Sequence, residues 1–326
     1  MIIFNGVELA QKREARLKEK VNKYLAAGAK PVIAAILFIE DEGSQLYTRL
    51  KSQAAEKLGI EYRVFEFSLK DNLEKIQTKI EELGKSSEIT GIIIQKPWRK
   101  TWVRAQNENF LKVAANQPDP RRFERDQYGS WWTKLTSYID ENKDVDGLHP
   151  ITIQQISRES WKDMGKVLPA TCQAVLNILD DAFEQISREL KLDKTQQIFN
   201  GKYIIIGKSD LVGIPLFYEL RRQGRNVEII ASKELNERVK SGQKLLDASI
   251  VISATGINKL VTGDMVSDNV VIIDVGEPHG DVDFESVKDK AVFITPVPGG
   301  VGPMTVISLL ENCSKLCEAR QLNSQE

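Results

Sequence analysis

Short, unbroken apolar runs alternate with helical patterns along most of this chain. Val32-Ile33-Ala34-Ala35-Ile36-Leu37-Phe38-Ile39 follows Pro31, a further run stands at Gly91-Ile92-Ile93-Ile94, and 62–67 reads as another strand though Arg63 and Glu66 interrupt it. A strand wet on one face alternates apolar and polar residues; a continuous apolar strand is covered on both faces, which is the habit of parallel sheets flanked by helices. The rhythm returns at 203–206, 227–230, 249–252 and 270–273, with a short run at Phe293-Ile294. Amphipathic spacing predicts a helix over 7–27, with Leu17, Val21, Tyr24 and Leu25 on one stripe. A second helix spans 45–58, with Ser44 as N-cap and Gly59 as stop. Others cover 73–83, 171–190 (one long helix or a hairpin), 215–223 and 303–319, the last opening on a proline. At roughly 150 residues per domain, 326 residues in this pattern make two α/β domains.

The balance of 45 Lys+Arg against 46 Asp+Glu leaves a formal charge of −1, without the basic excess of a dedicated nucleic-acid binder. No apolar run approaches the ~20 residues that span a bilayer, and the N-terminus lacks the pattern of a signal peptide. Cys172, Cys313 and Cys317 form neither a disulfide framework nor a zinc motif, and with only two His no metal site is expected. The chain reads as a soluble cytoplasmic enzyme. Residues 98–143 interrupt the rhythm and hold Trp98, Trp102, Trp131 and Trp132. They read as an insertion with a small aromatic core of its own.

In the second half, Ile204-Ile205-Ile206-Gly207-Lys208-Ser209-Asp210-Leu211-Val212-Gly213 is strand, tight turn and helix start. It approximates the dinucleotide fingerprint: Gly207 fits the first glycine, Ser209 replaces the second, and Gly213 falls one residue late. Its position predicts a pyrophosphate site at a helix N-terminus. An NAD site usually carries an acid at the tip of the second strand. Here that tip reads Ile230-Ala231-Ser232-Lys233, with Glu228 inside the strand and Glu234 past it. A hydroxyl and an ammonium there, with Lys208 nearby, favour NADP over NAD. The next strand ends Ser253-Ala254-Thr255-Gly256, small enough for a nicotinamide to approach the backbone.

In the first half, Tyr47 and Lys51 share a helix face one turn apart, a phenol beside an ammonium. Gln95 directly follows a buried strand, and carboxyl ends of parallel strands are where open α/β sheets bind ligands. Asp144-Val145-Asp146-Gly147 is a compact turn with two carboxylates. Thr295-Pro296-Val297-Pro298-Gly299-Gly300-Val301-Gly302-Pro303-Met304-Thr305 is a rigid loop exposing backbone amides ahead of a helix.

Together, Ser44-x-x-Tyr47-x-x-x-Lys51, Gly91-Ile92-Ile93-Ile94-Gln95-Lys96-Pro97, Asp144-Val145-Asp146-Gly147, Gly207-Lys208-Ser209 with Val212-Gly213-x-Pro215, Asp274-Val275-Gly276, Gly280-Asp281-Val282-Asp283 and the 295–305 loop resemble the bifunctional methylenetetrahydrofolate dehydrogenase/cyclohydrolase family over nearly the whole chain. The resemblance implies a two-domain α/β architecture with a ligand cleft between the domains. A folate-binding catalytic domain would span 1–147 plus 296–326, and a Rossmann-type NAD(P)-binding domain 148–295. It implies that Lys51 is central to the hydrolytic step, that Gln95 hydrogen-bonds and tunes it, that Tyr47 packs on the folate and that Asp146 binds the pterin. Pro298, Gly299 and Gly300 would line the substrate site. Gly207, Lys208, Ser209, Val212, Gly213, Ser232, Lys233, Thr255 and Gly256 would surround NADP. The implied activity is oxidation of 5,10-methylenetetrahydrofolate followed by hydrolysis to 10-formyltetrahydrofolate, in a homodimer. Proton transfer by Lys51 calls for a lowered pKa, expected from burial near another cation.

Several positions depart from the family pattern. Lys96 and Trp98 replace apolar residues that touch the pterin, and 98–143 lengthens the segment between Gln95 and Asp144. These changes leave two rival readings, a dehydrogenase-only member and an inactive folate- or nucleotide-binding paralogue.

Overall fold

The computed structural model describes residues 1–323. Two compact units divide the chain. One, carrying a six-stranded sheet, comprises Met1–Ala15, Gln155–Lys162 and Leu168–Leu309; the other, carrying a three-stranded sheet, comprises Arg16–Gln154, Asp163–Val167 and the chain from Leu310 on. The strands are β1 (Ile2–Ile3), β2 (Val32–Phe38), β3 (Glu61–Phe67), β4 (Gly91–Ile94), β5 (Lys202–Ile206), β6 (Asn226–Ile230), β7 (Ile250–Ser253), β8 (Val270–Asp274) and β9 (Ala291–Ile294).

The three-stranded sheet has the order β3-β2-β4, all parallel. Its central strand β2 is buried at every position, as its uninterrupted apolar run requires, whereas β3 at the edge is only partly covered. The helix Glu42–Leu58 joins β2 to β3. Its cap is Asp41 and not Ser44: the Asp41 carboxylate accepts from Ser44 N at 3.0 Å and from Ser44 Oγ at 2.6 Å. A carboxylate satisfies the orphan amides and also complements the helix dipole. A Cβ on Gly91 would stand 2.7 Å from Val145 Cβ. The bare backbone there lets 143–145 lie along β4, with Ile92 N donating to Lys143 O at 2.6 Å.

The insertion folds into three helices, Arg99–Ala105, Glu108–Ala115 and Pro120–Thr136. Trp102 is the hub, with ring centroids 5.5 Å from Phe110, 5.5 Å from Tyr128 and 5.7 Å from Trp131. Trp131 also meets Phe38 of β2 at 5.5 Å, which ties the insertion to the sheet. Trp98 stays outside this core, 49 % exposed.

The six-stranded sheet has the order β1-β9-β8-β7-β5-β6, again all parallel. Ile204, Ile206, Val251, Ile272 and Ile294 form one side of its core. Residues 170–189 form a single helix, Ala170–Glu189, followed by a separate short one, Leu192–Phe199. Strand β1 was not expected from sequence. Its two residues are too few for a periodicity, and its partner, β9, lies at the other end of the chain. That pairing, with Phe4 against Phe293 at 5.6 Å, places Met1–Ala15 with the six-stranded sheet. The unit bounds therefore differ from 1–147 plus 296–326 and 148–295. The helices Gly6–Ala26 and Val301–Asn323 each run from one unit into the other. Cys172, Cys313 and Cys317 are free and buried. Among the described residues, no helix is long and apolar enough to cross a membrane.

Candidate active site

The buried face of the helix Glu42–Leu58 is Ser44, Thr48, Lys51, Ala55 and Leu58, a spacing of three and four that keeps one side of the helix inward. Lysine in such a stripe is unusual, because an ammonium loses its hydration there. Lys51 is 7 % exposed, and its Nζ donates to Gln95 Oε1 at 3.1 Å. Gln95 follows β4, and its backbone N still bonds Ile36 O of β2 at 2.9 Å, so the ladder fixes where its side chain starts. Lysine only donates, so the Gln95 amide must turn its oxygen to Lys51 and its nitrogen away. That nitrogen donates to Tyr62 OH on β3 at 3.2 Å. Helix and two strands thus bring Lys51, Gln95 and Tyr62 into one hydrogen-bonded row.

Burial pushes the Lys51 pKa below its ordinary value, opposed by the charge of Asp146. The expected second cation is not the cause: the neighbouring charge is a carboxylate, and desolvation does the lowering. Burial raises the Tyr62 phenol, its bond with Gln95 opposing and the Asp146 charge adding to the rise. Asp146 therefore acts electrostatically on both ends of the row. Its neighbour Asp144 has a different role. Buried Asp144 accepts from Leu148 N (2.8 Å), His149 N (2.9 Å) and Thr152 Oγ1 (2.8 Å), so it builds the turn that presents half-buried Asp146. Tyr47 stands one turn before Lys51, half-buried. Tyr62 had no signal in the sequence, since nothing marks one tyrosine of an edge strand.

The residues at 96–98 are pinned by the insertion. Lys96 Nζ lies 4.8 Å from the centroid of Trp132 and 5.9 Å from that of Tyr128, cation–π distances. Tyr128 OH donates to Pro97 O at 2.5 Å, and Trp98 N donates to Asp41 Oδ1 at 3.1 Å.

In the six-stranded unit, the turn after β5 leaves no room for side chains at two glycines. A Cβ on Gly213 would stand 1.8 Å from Gly207 O, and one on Gly207 2.3 Å from Ala254 O, with Gly207 at φ +117. Ser209 Oγ accepts from Val212 N at 3.2 Å and, more weakly, from Gly213 N at 3.4 Å, which shapes the entry to the helix Gly213–Arg222. Ser232 is half-buried and Lys233 exposed at the tip of β6, beside the turn because β5 and β6 pair. A tight bare turn flanked by hydroxyls and ammonium groups fits a phosphorylated dinucleotide. One sequence reading is corrected here. An acid does stand at the β6 tip: Glu234 folds back so that Ala231 N donates to its Oε2 at 2.7 Å, and Lys208 Nζ contacts its two oxygens at 2.8 and 2.9 Å.

Thr255 is held from behind. Its N and Oγ1 donate to Asp281 Oδ2 at 2.6 and 2.9 Å, and Ser253 Oγ donates to the same oxygen at 2.8 Å. Asp281, fully buried, thus sets the Thr255-Gly256 turn. In the 295–300 loop, Gly6 N donates to Gly299 O at 3.1 Å, and a Cβ on Gly300 would stand 2.5 Å from Pro296 O. Pro298 is exposed and Gly299 half-buried with φ +98. Glu277 lies against the following helix start: a Cβ on Gly302 would stand 2.6 Å from Glu277 Oε1. Burial pushes the Glu277 pKa up to about 7.

Two family models match the chain: the catalytic domain of tetrahydrofolate dehydrogenase/cyclohydrolase over residues 4–114, and the NAD(P)-binding domain of the same family over residues 169–321. The chain is similar to the bifunctional protein FolD of Lactobacillus acidophilus, 33 % identical over 331 aligned residues that cover 99 % of each chain. Its structure is similar to that of the bifunctional methylenetetrahydrofolate dehydrogenase/cyclohydrolase FolD from Campylobacter jejuni, with 28 % identity, TM-score 0.73 and coverage of 97 % and 98 %. It shares its fold with the Trypanosoma brucei dehydrogenase-cyclohydrolase solved with NADP and an inhibitor, with 24 % identity, TM-score 0.75 and coverage of 98 % of each chain.

Proposed function

The chain belongs to the tetrahydrofolate dehydrogenase/cyclohydrolase family, and from its buried Lys51–Gln95–Tyr62 row we infer how its own residues serve the two reactions of that family. It oxidises 5,10-methylenetetrahydrofolate with NADP and hydrolyses the resulting methenyl cation to 10-formyltetrahydrofolate. NADP, when bound, supplies the two-electron acceptor for the first reaction. Gly207, Lys208, Ser209, Val212, Gly213, Ser232, Lys233, Thr255 and Gly256 would hold it in the six-stranded unit. Tyr47, Gln95 and Asp146 would be folate-binding residues of the three-stranded unit, which also carries the 98–143 insertion.

In the hydrolytic reaction a water oxygen bonds the methenyl carbon and loses a proton. As the bond from that carbon to N5 breaks, the remaining hydroxyl proton leaves to give the formyl carbonyl and N5 takes a proton; water loses two protons, N5 gains one, and one is released overall. Lys51 suits the proton transfers because burial favours its neutral form, so that amine and ammonium are closer in energy than in water. Gln95 keeps the amine in place by accepting from it. Asp146 keeps the protonated form within reach by its charge, and offers a carboxylate to the amino and ring nitrogens of a pterin. The Lys96 ammonium lies over Trp132 and Tyr128, and the Lys51–Gln95 bond is made with Lys96 and Trp98 in place. The departures at 96 and 98 therefore leave the Lys51–Gln95 bond intact, which favours two activities over a dehydrogenase alone or an inactive paralogue.

The carrying observation is a lysine 7 % exposed and bonded to Gln95. Lys51→Met is expected to abolish the accelerated decay of methenyltetrahydrofolate absorbance while folate still binds. Hydrolysis at the unmutated rate would overturn the assignment. We further place the protein in the cytoplasm as a homodimer, on the strength of the family resemblance and the three buried thiols.

A further inference from the structure

The tips of β5 and β6 lie side by side, with Gly207 N donating to Ile230 O at 2.9 Å. A dinucleotide bound at the Gly207–Gly213 turn would place its adenosine ribose there. Two groups of opposite charge already occupy that place. Lys208 Nζ sits between the two oxygens of Glu234, at 2.8 and 2.9 Å, and Ala231 N fixes one of those oxygens at 2.7 Å. The pair is part-exposed, with side-chain exposures of 41 % and 46 %, so an incoming ligand can reach it.

The chemistry of the 2′ position separates two ligands at this pair. A ribose 2′-hydroxyl donates to a carboxylate and leaves the Lys208–Glu234 bond in place. A 2′-phosphate needs the ammonium for itself and is repelled by the carboxylate that holds it. We propose that Glu234 is a specificity-determining residue for the nucleotide: by occupying Lys208 it weakens binding of the 2′-phosphate and lets the site accept a 2′-hydroxyl as well. The enzyme is then an NADP user with narrowed discrimination against NAD, and Glu234 is the group that narrows it. This rests on the reading of the turn as the dinucleotide site.

The test uses the full-length protein and two half-cofactors that differ only at the 2′ position, 5′-AMP and 2′,5′-ADP, titrated by calorimetry. Glu234→Gln is the informative variant, because glutamine can still accept from Ala231 N and keep the helix start. It is expected to tighten 2′,5′-ADP about tenfold and to weaken 5′-AMP or leave it unchanged. The ratio of kcat/KM for NADP over NAD, with methylenetetrahydrofolate as substrate, should widen in step. Lys208→Gln is expected to remove the preference for 2′,5′-ADP. If Glu234→Gln shifts both half-cofactors equally, or neither, Glu234 does not set specificity, though the site stands. If neither half-cofactor binds the unmutated protein, the dinucleotide reading of the turn fails, and this proposal with it.

Discussion

Lys51 shows how one buried cation becomes chemistry. The helix carries it inward, Gln95 accepts from it, and Tyr62 fixes the orientation of Gln95 by taking the other end of the amide. Removing that hydroxyl should loosen the amide and, through it, the lysine. Tyr62→Phe is expected to slow methenyltetrahydrofolate hydrolysis by about tenfold, the scale of one lost neutral hydrogen bond at a site of this kind. Its pH–rate profile should move with the Lys51 pKa, a shift that a variant harmed only in stability would not show. Lys51 and Gln95 were legible in sequence through the family resemblance of the motifs that carry them, Tyr47-x-x-x-Lys51 and Ile94-Gln95-Lys96-Pro97. Tyr62 was not, because its bond to Gln95 is a side-chain contact 33 residues apart in sequence, between strands that both flank β2. Glu277 gives a second prediction. Its carboxyl is raised from 4.5 to about 7 by burial. A raised acid is protonated more readily when folded, so its effect is absent below the unfolded pKa and stability falls as pH rises through about 7. Glu277→Gln is expected to remove that fall, on the order of 1 kcal/mol, read as the difference in denaturant midpoints at pH 5 and pH 8.

At the scale of elements, most strands were legible because their apolar runs are continuous, and most helices because their stripes repeat. Caps and close approaches were less so. Ser44 and Asp41 are both good capping residues, and the choice fell to Asp41 because its carboxylate also accepts from Trp98 N, a contact 57 residues away in sequence. The helices Pro150–Ser157, Leu192–Phe199 and Ser232–Lys240 are only about two turns long, too short for a repeating stripe to stand out in the sequence. The insertion was read as an aromatic core, and its hub is Trp102, 4 % exposed among Phe110, Tyr128 and Trp131. Trp102→Ala is expected to destabilise the three-stranded unit by about 3–5 kcal/mol, the usual cost of emptying an aromatic site. Thermal unfolding would measure it. Because Tyr128 and Trp132 also hold the Pro97 carbonyl and the Lys96 ammonium, folate affinity should fall along with stability.

For the whole molecule, the expected homodimer has a direct check. Light scattering on the eluting protein should give twice the 36.8 kDa of one chain; a mass of 36.8 kDa at micromolar concentration would remove the dimer from the account. The sequence by itself determined the α/β class, the parallel sheets, the family and the residue types at the candidate site. These follow from local pattern and from motifs whose residues are neighbours in the chain. Only the tertiary structure decided that Ile2–Ile3 closes the six-stranded sheet, that desolvation and not a second cation lowers Lys51, and that Glu234 reaches back to Lys208. Each of these depends on which distant backbone lies alongside. Hydrogen-bond partners and the local dielectric are properties of that packing, and no stretch of residues carries them alone.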